Sequence, residues 1–376
     1  LEFGGAIMDA FRIVAKLASV VLSIVFLAAS GAAAQETPTP PQLFYAVGPA
    51  EVPEEAALPE NAMMNQTRFV RVNFGQLRSA RLSLNLLDGV TVQAVLDRRQ
   101  NHPTGGDSWL GSLDGVQDGR VALSRHGTAL SGVVATRDRM FKIQPLGNGV
   151  HVVAEVAASE PWPESDPVPV FAEDAGATEG SALLAEGDGG TTVPDVMVAY
   201  TPNARDVVGG TDGMLSLIEL AVAETNQAYI NSQVDASLRL VHAYETAYTN
   251  DSAGFSTALS RLRSTTDGYM DEAHGLRDQY GADMVSLIID NPQSCGIAYL
   301  MTTLSAGFAS SAFSVVEDSC ATGYFSFAHE LGHNMASHHN PENAGSALYP
   351  YSYGHWLYYD SAGEYIHRTV MAYNFT

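Results

Sequence analysis

Residues Phe325 to His339 read FSFAHELGHNMASHH, and the rest of the chain is best understood from this stretch outward. His329 and His333 are four residues apart, so on an α-helix both imidazoles project from one face, one turn apart. The same helix has an apolar side that can be buried in a core, formed by Phe325, Ala328, Leu331 and Met335. The stretch therefore predicts a buried helix that presents two imidazoles to a single point.

A third imidazole and a carboxylate complete a metal site in this stretch. His339 lies ten residues after His329, and three nitrogen ligands with an open fourth position are typical of a catalytic zinc ion, whereas structural zinc sites are closed. Glu330 would project beside the metal, where a carboxylate can take a proton from water. We therefore predict one zinc ion held by His329, His333 and His339, with Glu330 as the catalytic base.

Other assignments of these residues stay open. One alternative is that these are surface histidines on a solvated helix and bind no metal. A second enzyme hypothesis keeps the two helical histidines and takes Glu342 or Glu364 as the third ligand. His338 is nine residues after His329, which breaks the spacing, and it is expected to face solvent. Calcium is a possible further ion, but nothing in the sequence indicates a site for it.

The spacing of these histidines, followed by a methionine-containing turn, resembles the extended zinc motif of the metzincin metallopeptidases. TVMAY at 369–373 matches the Met-turn in kind and order. CGIAY at 295–299 and RTVMAY at 368–373 are most similar to bacterial reprolysin-like enzymes, and the peptidyl-Asp metalloendopeptidases are the nearest group. The resemblance covers residues 193–376, and SWLG at 108–111 with HVV at 151–153 look like a reprolysin-type propeptide.

This resemblance implies a zinc endopeptidase whose substrates are proteins or peptides and whose own propeptide inhibits it. A front domain without chemistry, a cleavable linker and an export signal, described below, add the layout of a secreted zymogen. Its α+β catalytic domain would have the metzincin fold, a twisted mixed sheet with long helices, behind an all-β propeptide domain. Met371 would form a hydrophobic floor beneath the metal. Tyr373 would contact the zinc or the reacting peptide, or else be a core aromatic. Ile297–Leu300 would align substrate by strand addition, through Ala298 and Tyr299.

The resemblance raises a question about cleavage specificity. The chain also departs from the family pattern at two points. Cleavage on the amino side of Asp or Glu would need a cation near the primed-side pocket, and Arg368 is the candidate, although a structural carboxylate is an equally good partner for it. Ala336 stands where the family has glycine, and a left-handed conformation there would cost about 1 kcal/mol. The chain stops five residues after Met371, where family members continue, so we expect a truncated reading frame.

The only two cysteines are Cys295 and Cys320. In an exported protein the oxidising environment makes a disulfide between them the natural assignment, and two free buried thiols are the alternative. No cysteine occurs in residues 35–192, so a propeptide cysteine cannot block the zinc. Latency would then depend on an acidic side chain or on steric cover.

Beyond Val193 the periodicity alternates between strands and helices. Apolar residues from Leu215 to Tyr229 fit one stripe of a long helix, and one or two shorter helices are expected over 255–262 and 273–280. Strands are expected at Val196–Tyr200, Leu238–Ala243, Met284–Ile289 and Val315–Val316. This alternation implies a sheet with parallel members packed against helices.

The front of the chain has a different pattern. Residues 43–156 contain short alternating runs separated by Gly, Asp and Asn, which predict an antiparallel meander or sandwich. We take 35–156 as the propeptide domain, 157–192 as a solvated, acidic Pro/Gly/Ala-rich linker with the activation cleavage site, and 193–376 as the peptidase domain. A permanent two-domain protein is the alternative.

The first residues have the pattern of an export signal. Met8 is the expected start, Arg12 and Lys16 precede the apolar run Leu17–Ala29, and small residues at 32–34 offer a cleavage site. The run is short for a membrane span of about 20 residues, so residues 8–34 are interpreted as a cleaved signal peptide rather than an anchor. We therefore expect a secreted, extracellular protein with no membrane contact after cleavage.

Charge and composition exclude other functions. The formal net charge is −23, and residues 191–376 hold 6 basic and 20 acidic side chains, which argues against a nucleic-acid partner. Only two lysines occur and no glycine-rich loop ends in Lys-Ser/Thr, so P-loop phosphate chemistry is excluded. The sequence thus predicts a secreted zinc endopeptidase with a propeptide. The competing hypothesis is a zinc-binding but catalytically inactive secreted module or adhesin.

Overall fold

The computed structural model describes residues 41–54, 57–59, 62–157, 163–171, 191–358 and 365–373, without the side chains of residues 62–65 and 365–366. Pro40–Thr376 forms one compact unit. The expected signal peptide, residues 8–34, lies outside the described residues, as do residues 172–190 of the expected linker and Glu364. No helix among the described residues is long and apolar enough to cross a membrane.

Nine antiparallel strands form one sheet in the front part of the chain. Their bounds are β1 (Phe44–Ala46), β2 (Ala62–Val72), β3 (Arg81–Leu87), β4 (Val90–Asn101), β5 (Asp107–Leu113), β6 (Arg120–His126), β7 (Ala129–Ala135), β8 (Met140–Gly147) and β9 (Val150–Val156). The strand order is β1-β2-β9-β8-β7-β6-β5-β4-β3. Every neighbouring pair except β2–β9 is consecutive in the chain, so the expected antiparallel meander is confirmed.

Tight turns and an apolar filling give this sheet its shape. Asn148 and Gly149, between β8 and β9, have φ angles of 53° and 72°, the left-handed pair that a two-residue type I′ hairpin requires. The sheet curls until its two ends meet. The contact is shown by the Leu43 amide, which lies just before β1 and donates to the Ser83 carbonyl of β3 at 2.9 Å. The curl encloses a core that includes Phe44, Leu84, Trp109, Leu123 and Phe141.

A second sheet of six strands forms the back part of the chain. Its strands are β10 (Val168–Val170), β11 (Asp195–Tyr200), β12 (Arg239–Glu245), β13 (Met284–Ile289), β14 (Gly296–Met301) and β15 (Phe313–Glu317). The order is β10-β14-β15-β13-β11-β12, in which only β14 and β15 pair antiparallel. The expected sheet with parallel members is therefore confirmed. A small antiparallel pair follows, β16 (Trp356–Tyr358) and β17 (Tyr365–Arg368).

Five α-helices accompany the second sheet: α1 (Pro202–Val207), α2 (Thr211–Asn231), α3 (Phe255–Arg263), α4 (Glu272–Tyr280) and α5 (Ser326–Asn334). Short 3₁₀ turns lie at Pro49–Glu51, Phe74–Arg78, Asp251–Ala253, Ala306–Ser311 and Pro341–Asn343. The expected long helix is α2, but it is buried on two faces rather than one. Ile218 and Val222 pack in the core of the back sheet, while Leu220 and Ala223 pack against the front sheet.

The disulfide expected from the cysteine count is present between Cys295 and Cys320. It joins the residue before β14 to the loop that follows β15. That loop runs directly into α5, and the Cys320 carbonyl accepts a hydrogen bond from the Ser326 amide at 3.4 Å. The disulfide therefore fastens the start of the histidine-bearing helix to the edge of the second sheet.

Candidate metal centre

The three predicted histidine ligands converge on one point. His329 and His333 lie one turn apart on α5, and His339 follows after the helix has ended. Their Nε2 atoms are 3.1 Å apart for His329–His333, 3.0 Å for His333–His339 and 3.1 Å for His329–His339. Nitrogen atoms that all bind one zinc ion at about 2.0–2.1 Å would stand roughly this close together, so the group fits zinc.

Hydrogen bonds and burial prepare these imidazoles for a metal. The Nδ1 of His329 lies 2.8 Å from the Val370 carbonyl, and the Nδ1 of His333 lies 2.8 Å from the Ser337 carbonyl. Each carbonyl fixes the proton on Nδ1, which leaves the Nε2 lone pair free for a cation. Burial lowers the pKa of His329 to about 3 and that of His339 to about 4, so both rings are neutral at physiological pH.

The chain turns out of α5 through a left-handed alanine. Ala336 has a φ of 67°, which is the left-handed conformation considered above for this position. Its amide donates to the His333 carbonyl at 3.1 Å, and the Ser337 amide donates to the Gly332 carbonyl at 2.9 Å. These two bonds form a Schellman motif, which redirects the chain so that His339 returns to the face of α5.

Met371 lies directly against the backbone of α5. A Cβ atom on Gly332 would collide with the Sδ of Met371, so only glycine permits this close approach. Gly332 precedes His333, and the Val370 carbonyl that orients His329 immediately precedes Met371. The turn at 369–373 thus supports the two helical ligands from one side, with Met371 where a hydrophobic floor is expected.

Glu330 is fully buried, with an exposed fraction of 0%. Burial, and then the neighbouring charge of Glu164, raises the pKa of its carboxyl group. A Cβ atom on Gly296 would collide with the Glu330 carboxylate, so the absence of a side chain at the start of β14 makes room for it. The Glu330 carboxylate thus extends from α5 toward β14, and Glu330 is next in sequence to the first ligand.

Tyr373 lies beside the histidines rather than in a core. Its ring centroid is 4.0 Å from that of His339 and 6.3 Å from that of His329. Its hydroxyl donates to Asp166 Oδ1 at 3.4 Å. Burial, and then the charge of Asp166, raises the pKa of Tyr373. A protonated phenol is therefore available at the edge of the metal centre.

His338 differs from the expectation that it faces solvent. Its exposed fraction is 9%, its Nδ1 accepts a hydrogen bond from the His339 amide at 2.8 Å, and its ring stacks on Tyr353 with centroids 6.5 Å apart. The reason is the turn at Ala336, which directs the following residues inward to pair with the segment around Tyr353. Helical spacing cannot be extended past that turn.

Comparison with known proteins identifies the family. The model of the Reprolysin-like metallo-peptidase family M12B matches residues 215–340. A peptidyl-Asp metalloendopeptidase of Stenotrophomonas maltophilia is 36% identical over 343 residues, which cover 85% of this chain and 78% of that protein. One of Xanthomonas campestris is 34% identical over 326 residues, 81% of this chain and 74% of that protein. The chain belongs to the peptidyl-Asp metalloendopeptidase family.

Family membership makes the chain a reprolysin-like metallopeptidase, a hydrolase that acts on protein or peptide substrates. The metallopeptidases of this family use zinc, and the three-histidine group is present in this chain. Of the two alternative third ligands, Glu342 is exposed and accepts a hydrogen bond from Asn340 at 2.9 Å, and Glu364 lies outside the described residues. His339 is the side chain that joins the group.

The substrate-binding candidates of this metalloendopeptidase lie on β14 and at the end of β17. Ala298 and Tyr299 are in the middle of β14 and are buried. Arg368, the last residue of β17, is half-buried and donates to the Ala372 carbonyl at 2.6 Å, so it lies against the Met-turn segment.

Sequence reasoning missed two acidic residues at the metal centre, Glu164 and Asp166. Both lie in the segment expected to be a solvated linker, but residues 163–171 of that segment are docked on the second sheet. Ser326 Oγ donates to Glu164 Oε1 at 2.5 Å, and Val168 of β10 pairs with Tyr299 of β14. The available signal was two acids followed by the apolar run VPV, 168–170.

Proposed function

We propose that this metalloendopeptidase is a secreted zymogen in which His329, His333 and His339 hold one catalytic zinc ion and Glu330 is the general base. The observation that carries the proposal is the convergence of three Nε2 atoms within 3.1 Å of one another, with the Glu330 carboxylate next in sequence. Zinc held there would supply Lewis-acid chemistry toward a peptide carbonyl and acidify water. Export would depend on the signal peptide at 8–34.

The chain's own residues would perform the remaining steps. Glu330 accepts the proton of the attacking water and then donates it to the amine that leaves, as a base and acid within reach of both groups. Tyr373 donates a hydrogen bond from its phenol to the oxygen that becomes negative as the carbonyl is attacked. Met371 excludes water beneath the histidines. These roles require the substrate carbonyl to lie between Glu330 and Tyr373.

Strand β14 would hold the substrate in that position. Its inner edge pairs with β15, and its outer edge has backbone groups that an extended peptide can bind by strand addition. Ala298 and Tyr299 lie at the centre of this edge. If the enzyme cleaves before Asp or Glu, as the family name of its relatives suggests, Arg368 supplies the cation that a primed-side acidic residue needs.

In the full chain, residues 163–170 would prevent such binding. Strand β10 occupies the outer edge of β14 over Tyr299–Met301, the Cys295 amide donates to the Pro163 carbonyl at 2.9 Å, and the Ser165 amide donates to the Gly296 carbonyl at 3.0 Å. The strand runs parallel to β14. This supports latency by steric cover, with 35–156 as the propeptide, 157–192 as the cleavable linker and 193–376 as the peptidase.

Cleavage of denatured casein by wild type and by Glu330→Ala, with zinc quantified in both, tests the proposal. Each protein is assayed uncut and after the linker has been cut by an added protease that is then inhibited. We expect wild type to hold one zinc ion and to become active on cutting, whereas Glu330→Ala keeps the zinc and loses activity by at least about 10³-fold. The exposed Glu342→Ala is the matched control and should behave as wild type.

Two results would contradict it. Zinc in both proteins with activity in neither, even after cutting, would favour the inactive zinc-binding module. Equal activity of wild type and Glu330→Ala would remove Glu330 from the mechanism. Cut sites mapped on casein then decide the preference for Asp or Glu, and Arg368→Ala should weaken that preference without loss of zinc.

A further inference from the structure

A second group of metal-binding side chains lies apart from the histidines. Asp290, Glu317 and Asp318 each contribute an oxygen atom, and these atoms lie within 4.8 Å of one another. The residues directly follow or end β13 and β15, two parallel neighbours whose carboxyl ends meet at one edge of the sheet. Glu317 and Asp318 are buried, with exposed fractions of 1% and 7%, while Asp290 is half-buried and gives the cluster a side toward solvent.

Two of these carboxyl groups lie together in the protein interior. Burial raises the pKa of Glu317 to about 7 and that of Asp318 well above its ordinary value. Neighbouring carboxylates protonate when no cation compensates them. Among the described residues, the buried Oδ1 atom of Asp318 accepts no hydrogen bond. The cluster therefore has an oxygen ligand without a partner.

The nearest compensating cation comes from the front sheet. Lys142 of β8 is buried, donates a hydrogen bond to the Ser319 carbonyl and lies over the Tyr324 ring at 4.5 Å. Burial lowers the pKa of Lys142 to about 8, although the charges of Glu317, Glu224 and Asp318 act to raise it. The ammonium group thus lies in the field of the acidic cluster and binds the carbonyl that follows Asp318 in the chain.

We propose that Asp290, Glu317 and Asp318 form a binding site for a hard divalent cation such as Ca²⁺, and that Lys142 supplies the positive charge in its place while the front sheet is docked. Carboxylate and carbonyl oxygens are the ligands that Ca²⁺ prefers, and the Ser319 carbonyl becomes available once Lys142 leaves. Ca²⁺ would compensate the negative charge of these clustered carboxylates. The cation site itself does not depend on peptidase activity. The replacement of Lys142 by Ca²⁺ once the propeptide is lost rests on the proposed zymogen.

Replacement of Lys142 in the full chain tests the site directly. Calorimetric titration with CaCl₂ and thermal melting compare wild type with Lys142→Ala, which removes the ammonium and leaves room for a hydrated ion. We expect Lys142→Ala to bind one Ca²⁺ per chain at least tenfold more tightly than wild type and to melt at a higher temperature when Ca²⁺ is present. The double variant Lys142→Ala/Asp318→Asn should lose this binding.

Arg139→Ala is the matched control, since Arg139 lies just before the same strand and pairs with Glu155 at 2.7 Å. It should bind Ca²⁺ no better than wild type. If Lys142→Ala does not fold in buffer, the proposal requires that either Ca²⁺ or the added Asp318→Asn change restores folding. Ca²⁺ affinity that is equal in wild type and Lys142→Ala, or unaffected by Asp318→Asn, would overturn the proposal, whatever the peptidase assays show.

Discussion

Buried histidines occur beside both sheets of this chain, but their surroundings differ. In the front sheet each imidazole has a partner of its own: His102 Nε2 lies 2.7 Å from Ser108 Oγ, and His151 Nε2 accepts from the Leu130 amide at 3.0 Å. Near the second sheet three Nε2 atoms face one another instead, where neutral nitrogens gain nothing from contact. A buried histidine with its own hydrogen bond stabilises a fold, whereas converging lone pairs indicate a cation.

The largest expected effect separates these two kinds of histidine. His333→Ala removes the central ligand, so we expect zinc content to fall from one per chain to near zero and kcat/KM of the cut enzyme to fall by at least about 10³-fold. His151→Gln keeps a hydrogen-bond acceptor in the front sheet and should retain zinc. Metal analysis and casein assays measure both. Loss of zinc in His151→Gln to the same extent would break the comparison.

The second prediction concerns β10, the strand that occupies the outer edge of β14. Val170 of β10 is 4% exposed, whereas Val168 on the same strand is 37% exposed. Val170→Asp would bury an unpaired carboxylate, which costs several kcal/mol, so we expect β10 to detach and the uncut chain to gain about tenfold in peptidase activity. Val168→Asp places the same charge in solvent and should stay latent. Equal activity of the two variants would argue against cover by β10.

Much of this arrangement could be predicted because it depends on local patterns. The spacing of His329 and His333 specifies a shared helix face, and turn residues such as Asn148–Gly149 separate strands that then pair with their neighbours in the chain. The strands and helices of the back part follow from apolar periodicity in the same way, as at Met284–Ile289, which the structure has with the same bounds.

What could not be predicted depends on distant contacts. The pairing of β10 requires a free edge on β14, about 130 residues away, and a three-residue strand with a central proline has no periodicity of its own. The second buried face of α2 requires the front sheet to be docked there. Lys142 reaches the Ser319 carbonyl across a sequence separation of 177 residues, which no local pattern records.

The third prediction concerns the loss of folding stability in acid that the buried histidines of the front part cause. Burial lowers the pKa of both His102 and His151 to about 4, against an ordinary value of 6.5. Between these values the unfolded chain binds more protons than the folded one, so stability is lost as the pH falls below 6.5. The loss by pH 4 is roughly 3 kcal/mol for each histidine. Urea unfolding of the zinc-loaded chain from pH 7 to pH 4 measures it.

His102→Gln/His151→Gln serves as the control for this experiment, because it removes both titrating groups of the front sheet and leaves the zinc ligands in place. Its unfolding free energy should depend less steeply on pH than that of wild type. An unchanged slope would assign the acid sensitivity to other groups, the zinc ligands first among them.

The smallest expected effect lies at the turn that brings His339 back to α5. Ala336 has a φ of 67°, which costs an L-residue about 1–2 kcal/mol, and glycine recovers this at an entropic cost of about 0.5–1 kcal/mol in the unfolded chain. Ala336→Gly should therefore raise the free energy of unfolding by up to about 1 kcal/mol and leave zinc affinity unchanged. The same substitution at Ala328, within α5, should lower it by about 1 kcal/mol. Chemical denaturation of both variants measures whether the free energy of unfolding rises or falls. A loss of stability in Ala336→Gly would mean that the alanine methyl group contributes more by packing than the left-handed backbone costs.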